Sequence, residues 1–239
     1  PACKNQTPYG IAFDIGTTTV VGYLINLETG ATLACVSGIN PQTVFGGDLI
    51  SRISFAAEKS TNVKKLHQRI AAFLNDLSQR ACEQAGITRT EICKVSVVGN
   101  TCMHHLFLGI DPTPLGSAPY NPVLKAPHQC LAKECGLRLH EKAQVYLLPI
   151  IAGFVGADTV GMILSTKLDS LAGNIIAVDI GTNAEVVLKT GQAMLACSSP
   201  AGPALEGGQI HDGMRAAFGA VDQVTANRDI IIHTIGDAP

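Results

Sequence analysis

Two periodicities divide the chain. Short apolar runs bounded by glycine and polar residues predict strands at Gly10–Phe13, Lys94–Val98, Val145–Leu148, Asn174–Val178, Gly219–Thr225 and Ile230–Thr234. Between them, apolar residues recur at helical spacing. Leu49, Ile50, Ile53 and Ala57 form one stripe behind Asp48, a suitable N-cap. Val63, Leu66, Ile70, Phe73, Leu74, Leu77 and Ala81 form a longer one, predicting a helix from about Thr61 to Ala85 that Gly86 ends. Lys64, Lys65 and Arg69 fall on its solvated side. Gly99–Gly109 predicts a turn and a short helix, capped by Asn100 or Thr101. Adjacent helical residues point about 100° apart, so His104 and His105 suit structural roles, one packed and one exposed, better than a shared ion. Ile110–Gln129 holds five prolines and predicts an ordered loop without regular structure. Gly153–Thr166 predicts a glycine-rich helix packed closely on another backbone, as in a helix joining two lobes. Asp158 is the one charge in that stretch, either a helix cap or a cleft carboxylate.

The strands carry a repeat. Asp14-Ile-Gly-Thr opens an apolar strand, a Thr-Gly turn and a strand ending Leu-Ala-Cys35; Asp179-Ile-Gly-Thr opens the same series, ending Leu-Ala-Cys197. The second copy is three residues shorter across the middle strand and turn. Agreement of this kind predicts two related domains, 1–168 and 169–239, each beginning with the same antiparallel strands.

The chemistry of Asp-x-Gly-Thr follows from its place at a strand end. Gly16 and Gly181 lack a Cβ, so the backbone can turn sharply and approach a ligand. Successive N–H groups of such a turn form an anion-binding concavity. Thr17, Thr18 and Thr182 add hydroxyl donors, and Asp14 and Asp179 suit Mg²⁺, held directly or through its waters. Two such hairpins face to face would clamp a polyphosphate. The plain alternative is a pair of ordinary hairpins with glycine turns; two copies, each closing an apolar strand, favour phosphate. Farther on, Ser198–Ile210 predicts a loop entering a helix with Glu206, Gly207 and Gly208, where the backbone can approach a nucleotide; the alternative there is a tight turn with Glu206 solvated. Neither a Gly-x-x-x-x-Gly-Lys-Ser/Thr loop nor a Gly-x-Gly-x-x-Gly turn occurs.

Composition narrows the classes of function. Charged residues make up 15% of the 239 and the net charge is −2, with no block of Lys or Arg. This argues against nucleic-acid or anionic-membrane binding through bulk charge. The longest apolar run, Val145–Ala157, holds thirteen residues and a proline; a membrane span needs about twenty. Of eight cysteines only Cys130 and Cys135 are close, and no second pair completes a zinc or cluster pattern. Free buried thiols in a reducing compartment, hence a cytoplasmic protein, are the expectation.

The paired Asp14–Thr18 and Asp179–Asn183 motifs, with the connecting helix Gly153–Leu164, resemble the superfamily of acetate and sugar kinases, heat-shock chaperone ATPases and actin. A closer resemblance, to the ATPase domain of reductive activators of corrinoid proteins, is carried by several stretches. They are Asp14–Val20, Asn40–Gln42, Gly47–Asp48 with Ser51–Ile53, Val98–Thr101, Ala152–Asp158, Asp179–Asn183, and Ser199–Ala204 with Glu206–Gly208. The resemblance implies an α/β fold: one ribonuclease-H-like, actin-like ATPase lobe and part of a second. It implies a module that binds and hydrolyses ATP with Mg²⁺ while a Co(II) corrinoid protein of a methyltransferase system is returned to Co(I). Asp14 and Asp179 would organise Mg²⁺, and Thr17, Thr18, Thr182 and Asn183 would hold phosphate oxygens. Asp158 would orient the attacking water. The cysteine spacing matches no ferredoxin loop, so the electron-donating iron–sulfur domain is expected outside this chain.

Two other readings make different predictions. A small-molecule kinase of the same superfamily would place phosphate on an acceptor. A non-catalytic docking module would show no response to nucleotide. Only about sixty residues follow Asp179, so the chain is expected to be a fragment of its protein, with uncovered strand edges and apolar surface. It should then associate with itself, a homodimer included, or be poorly ordered towards its end.

Overall fold

Tyr9–Ile15 (β1) lies at the centre of a six-stranded sheet, and its alternate residues Ile11, Phe13 and Ile15 turn one face into the buried core. It pairs antiparallel with Thr19–Asn26 (β2) and parallel with Ile92–Gly99 (β4). Thr32–Ile39 (β3) extends the sheet beyond β2, and Gln144–Leu147 (β6) and His128–Leu131 (β5) extend it beyond β4, in the order β3-β2-β1-β4-β6-β5. The computed structural model describes residues 8–202, 204, 207, 210–214, 219–226 and 229–235.

Leu49–Glu58 (α1), Ser60–Ala85 (α2) and Thr101–Leu108 (α3) pack on this sheet. The predicted stripe of α2 supplies fully buried Leu66, Ile70, Leu74 and Leu77, each contributing roughly 1.5–3 kcal/mol through burial. Gly86 ends the helix in a left-handed conformation (φ 67°), and Lys64, Lys65 and Arg69 are exposed as expected. Asp48 caps α1 by accepting from Ser51 N–H at 2.8 Å. Because β1, β4 and β6 run parallel, their carboxyl ends share one edge, where ligands of open α/β sheets bind.

Ala157–Thr166 (α4) leads to a second, antiparallel sheet of Ile175–Ile180 (β7), Asn183–Thr190 (β8) and Ala193–Pro200 (β9). A separate hairpin follows, Val221–Ala226 (β10) with Ile230–Thr234 (β11). The meander β1-β2-β3 is thus repeated as β7-β8-β9, as the duplicated motif predicts. Part of the shortening lies in the first turn: four residues separate the pair Ile15↔Val20, and three separate Ile180↔Ala184.

Several expectations are corrected. α4 begins at Ala157 rather than Gly153, because the chain before it is pressed into other backbone. A Cβ on Gly153 would lie 2.2 Å from Tyr120 O, and one on Gly156 2.5 Å from Asn100 Cα. The close packing was expected; the later helix start was not. The proline-rich stretch contains one 3₁₀ turn, Thr113–Gly116, and the start of β5. His104 and His105 are both buried. His105 Nδ1 donates to Thr101 O (2.7 Å), and its Nε2 accepts from Val123 N–H (3.0 Å), so a satisfied ring explains its burial. Cys35 and Cys197 are exposed free thiols, because the sheet faces carrying them are open there, and Cys93 is disulfide-bonded. Cysteine usage therefore says nothing of compartment. No helix among the described residues is long and apolar enough to cross a membrane.

Candidate nucleotide-phosphate site

The repeat brings its two turns to opposite sides of one cavity of about 190 Å³. From the end of β1 come Asp14, Gly16 and Thr17; from the end of β7 come Asp179, Gly181, Thr182 and Asn183. Asp158, in the first turn of α4, lies between them. Its two expected roles are thereby resolved: Gly156 occupies the N-cap and the carboxylate belongs to the cleft. Asn100, the N-cap of α3, spans two tasks. Its Oδ1 accepts from Met103 N–H (3.0 Å), and its Nδ2 donates to Thr17 Oγ1 (3.0 Å).

A fourth carboxylate enters the site. Glu185 on β8 stands directly across the ladder from Asp179, is 9% exposed, and lines the cavity. Ser198 Oγ, on β9, donates to its Oε1 at 2.9 Å. The position is legible in the repeat once the register is known: Asp14 faces Val21 in the first copy, where Asp179 faces Glu185 in the second. Glu185 lies outside the Asp-Ile-Gly-Thr motif, and only the strand register places it opposite Asp179.

Burial, and then neighbouring carboxylates, raise the proton affinity of Asp14, Asp158 and Glu185. Asp14 is open to water through the cleft mouth but walled by protein, and burial pushes its pKa up to about 6, with further pushes from Asp158 and Asp179. Burial and Asp179 also raise Asp158, against the Thr159 N–H that holds it at 2.7 Å. Burial raises Glu185 too, against the Ser198 hydroxyl. Among the described residues no Lys or Arg lines this cavity. Such a donor set of hard oxygens fits Mg²⁺. No three His, Cys, Asp or Glu side chains among the described residues converge closely enough to hold an ion together, so protein ligation alone would be incomplete and waters or phosphate oxygens would fill the rest.

The remaining predicted residues are placed differently. Thr18 is buried and is not among the residues that line the cleft or the hollow beside it. Gly207 sits in a turn at φ 70° and does not line the cleft; Glu206 and Gly208 lie outside the described residues. A more apolar hollow of about 330 Å³ adjoins the cleft, sharing Thr17, Thr182 and Asn183 and walled by Leu49, Ile50 and Phe154.

Two facing copies of one hairpin, with acidic residues and a helix N-terminus between them, define the actin-like class of nucleotide-site folds, the ASKHA class. The middle region of RACo matches residues 9–171, and the C-terminal domain of RACo, its ASKHA domain, matches residues 173–239. The chain belongs to the RACo family. It is 36% identical over 236 residues to the corrinoid activation enzyme RamQ of Eubacterium limosum, covering 98% of this chain and 40% of RamQ. It is 30% identical over 225 residues to a [Co(II) methylated amine-specific corrinoid protein] reductase of Methanosarcina barkeri, covering 90% of this chain and 40% of that protein. A solved reductive activator for corrinoid, iron–sulfur protein superposes with a TM-score of 0.89 at 36% identity, over 99% of this chain and 38% of that one. The chain thus spans about 40% of the length of the curated relatives it matches.

Proposed function

We propose that the cleft binds MgATP by its phosphates, and that the whole protein is an ATP-dependent activator that returns a Co(II) corrinoid protein to Co(I). The observation that carries this reading is the convergence of both Asp-Ile-Gly-Thr turns on one cavity with Asp158 and Glu185. The amides of the two turns, with Thr17, Thr182 and Asn183, hold phosphate oxygens. Asp14 and Asp179 hold Mg²⁺ through its waters, and the ion, when bound, neutralises charge on the phosphates. Asp158, with its raised proton affinity, orients the attacking water. Glu185, held by Ser198, backs that water as a proton acceptor. The cobalt step needs one electron, supplied by an iron–sulfur domain. Binding and hydrolysis of ATP favour different arrangements of the two hairpins, which biases the partner's cobalt environment. The partner is a corrinoid protein of a methyltransferase system. A dimer is the expected assembly.

The test is ATP hydrolysis by the full-length protein with and without Co(II) corrinoid protein, followed by the Co(I) spectrum. Stimulation and a Co(I) signal are expected. Asp14→Asn and Asp179→Asn should each lower hydrolysis about a hundredfold or more; unchanged rates would end the assignment of this cleft.

A further inference from the structure

Gly16, Thr17 and Thr18 present three successive carbonyls, and each is taken by a donor from the protein side. Asn40 Nδ2 donates to Gly16 O (2.8 Å), and Asn40 N–H donates to Thr18 O (2.7 Å). Thr17 O accepts from Arg52 Nη2. Arg52 and Asn40 are wholly buried, with no exposed surface. The other contacts of the guanidinium are Nε to Gly46 O (2.8 Å) and Nη1 to Met103 Sδ (3.2 Å). Its partners are therefore two carbonyls and a thioether. No carboxylate stands within ion-pair distance of it among the described residues. Asp48 and the Cys102 thiol are the titratable groups that act on it, and the Asp48 carboxylate is already engaged with Ser51. Burial lowers the Arg52 pKa only to about 10, so the charge persists at neutral pH.

Peptide planarity turns these bonds into direction. The peptides of this turn are trans, so each carbonyl points opposite to the N–H that follows it. With Gly16 O and Thr17 O drawn down to Asn40 and Arg52, the N–H groups of Thr17 and Thr18 turn away from these two residues, and Thr17 lines the cleft. Neither N–H donates to an acceptor among the described residues. A buried charge is costly unless something answers it, and among the described residues no carboxylate comes within ion-pair distance of this one, Asp48 acting on it only from farther off.

We propose that Arg52 is a positioning residue of the anion site: it draws the Thr17 carbonyl inward, aims the Thr18 amide at a bound phosphate, and sets beneath the turn a positive charge whose counter-charge is the ligand. This rests on the cleft being a nucleotide-phosphate site. A merely structural pin for α1 and the turn would predict a loss of stability without selectivity for phosphate.

Calorimetric titration of the full-length protein with MgATP and with adenosine separates the two. Arg52→Met should weaken MgATP binding about tenfold and leave adenosine binding unchanged. Arg52→Lys, which keeps the charge and loses the fork, should weaken MgATP by a smaller factor, again without effect on adenosine. Equal weakening of both ligands, or undiminished MgATP affinity in Arg52→Lys, would overturn the proposal; the Lys variant decides should the Met variant not fold. Absence of MgATP binding in the unaltered protein would instead overturn the nucleotide reading, and this inference with it.

Discussion

The two hairpins begin with the same four residues and are held by different means. In the first, side chains do most of the clamping: Asn40 and Arg52 take the Gly16 and Thr17 carbonyls, Asn100 takes the Thr17 hydroxyl, and one backbone bond, from Asn40 N–H to Thr18 O, joins them. In the second, backbone does the equivalent work, with Ala201 N–H and Gly202 N–H both donating to Thr182 O (3.2 and 2.9 Å). The surroundings differ as well. Ile11, Phe13 and Ile15 of β1 are no more than 2% exposed, whereas Ile176, Val178 and Ile180 of β7 are 65%, 48% and 53% exposed. The second copy instead carries the additional carboxylate, Glu185. The motif specifies a turn aimed at an anion; what braces the turn and what chemistry stands behind it are set by residues outside the motif.

The largest expected effect comes from making the second copy like the first. Glu185→Val puts at that ladder position the residue type that faces Asp14 in β2. Volume and strand propensity suit the site, since β-branched apolar residues favour strands. The fold should survive and MgATP should still bind, while hydrolysis falls about a hundredfold. Steady-state rates beside a binding isotherm would show it. A variant with full activity would leave the two hairpins chemically equivalent and remove Glu185 from the mechanism.

This asymmetry also marks what could be read in the chain itself. The meanders, the long helix and the Asp48 cap were legible because each rests on local pattern: alternation, a stripe at helical spacing, a short carboxylate before it. The pairing of Asp14 with Asp179 in one cleft was legible because the motif is repeated. Arg52 was not, although it lies inside a stretch that supports the family resemblance. A charged residue near the start of a helix looks solvated until the sheet closes over it, and two of its three partners are 35 and 51 residues away. Glu185 was hidden by register, which a turn one residue shorter had shifted. Asp158 could not be assigned between cap and cleft from sequence, because the choice depends on where Gly156 meets Asn100.

A smaller effect separates the two kinds of brace. In Gly156→Ala the new methyl would meet Asn100 Cα at 2.5 Å and Gly99 O at 2.6 Å. Both are backbone, and Asn100 holds the first turn. Overpacking here should destabilise the protein by about 1–3 kcal/mol and weaken phosphate binding. Gly202→Ala, beside the second turn, meets nothing within 4 Å but sits at φ 83°, so it should cost only about 1–2 kcal/mol from its left-handed backbone. Thermal unfolding of both variants tests the ranking. A Gly202 variant as damaging as the Gly156 variant would mean that the second turn is braced as tightly as the first.

The subtlest difference is in protons. Asp14 has an ordinary pKa of 3.8 and is raised to about 6 in the fold, by burial first and then by Asp158 and Asp179. Between these values the folded chain keeps a proton that the unfolded chain has released, so this group's contribution to stability is greatest below about pH 4 and is lost as the pH rises to about 6. His104 works in the opposite sense. Burial lowers its pKa from 6.5 to about 4, so the unfolded chain binds a proton there first, and stability falls as the pH drops through that range. The raw pH profile is therefore a sum of opposing slopes. Subtracting the profile of Asp14→Asn isolates the cleft, because His104 is present in both proteins. The difference, from urea unfolding at a series of pH values, should show the native protein losing stability relative to the variant between about pH 4 and 6. Cleft opening to water makes the amplitude smaller than a fully buried carboxyl would give. A flat difference would mean that Asp14 is neither desolvated by the cleft walls nor pushed by Asp158 and Asp179, and the first hairpin would then contribute amides to the site without its carboxyl group.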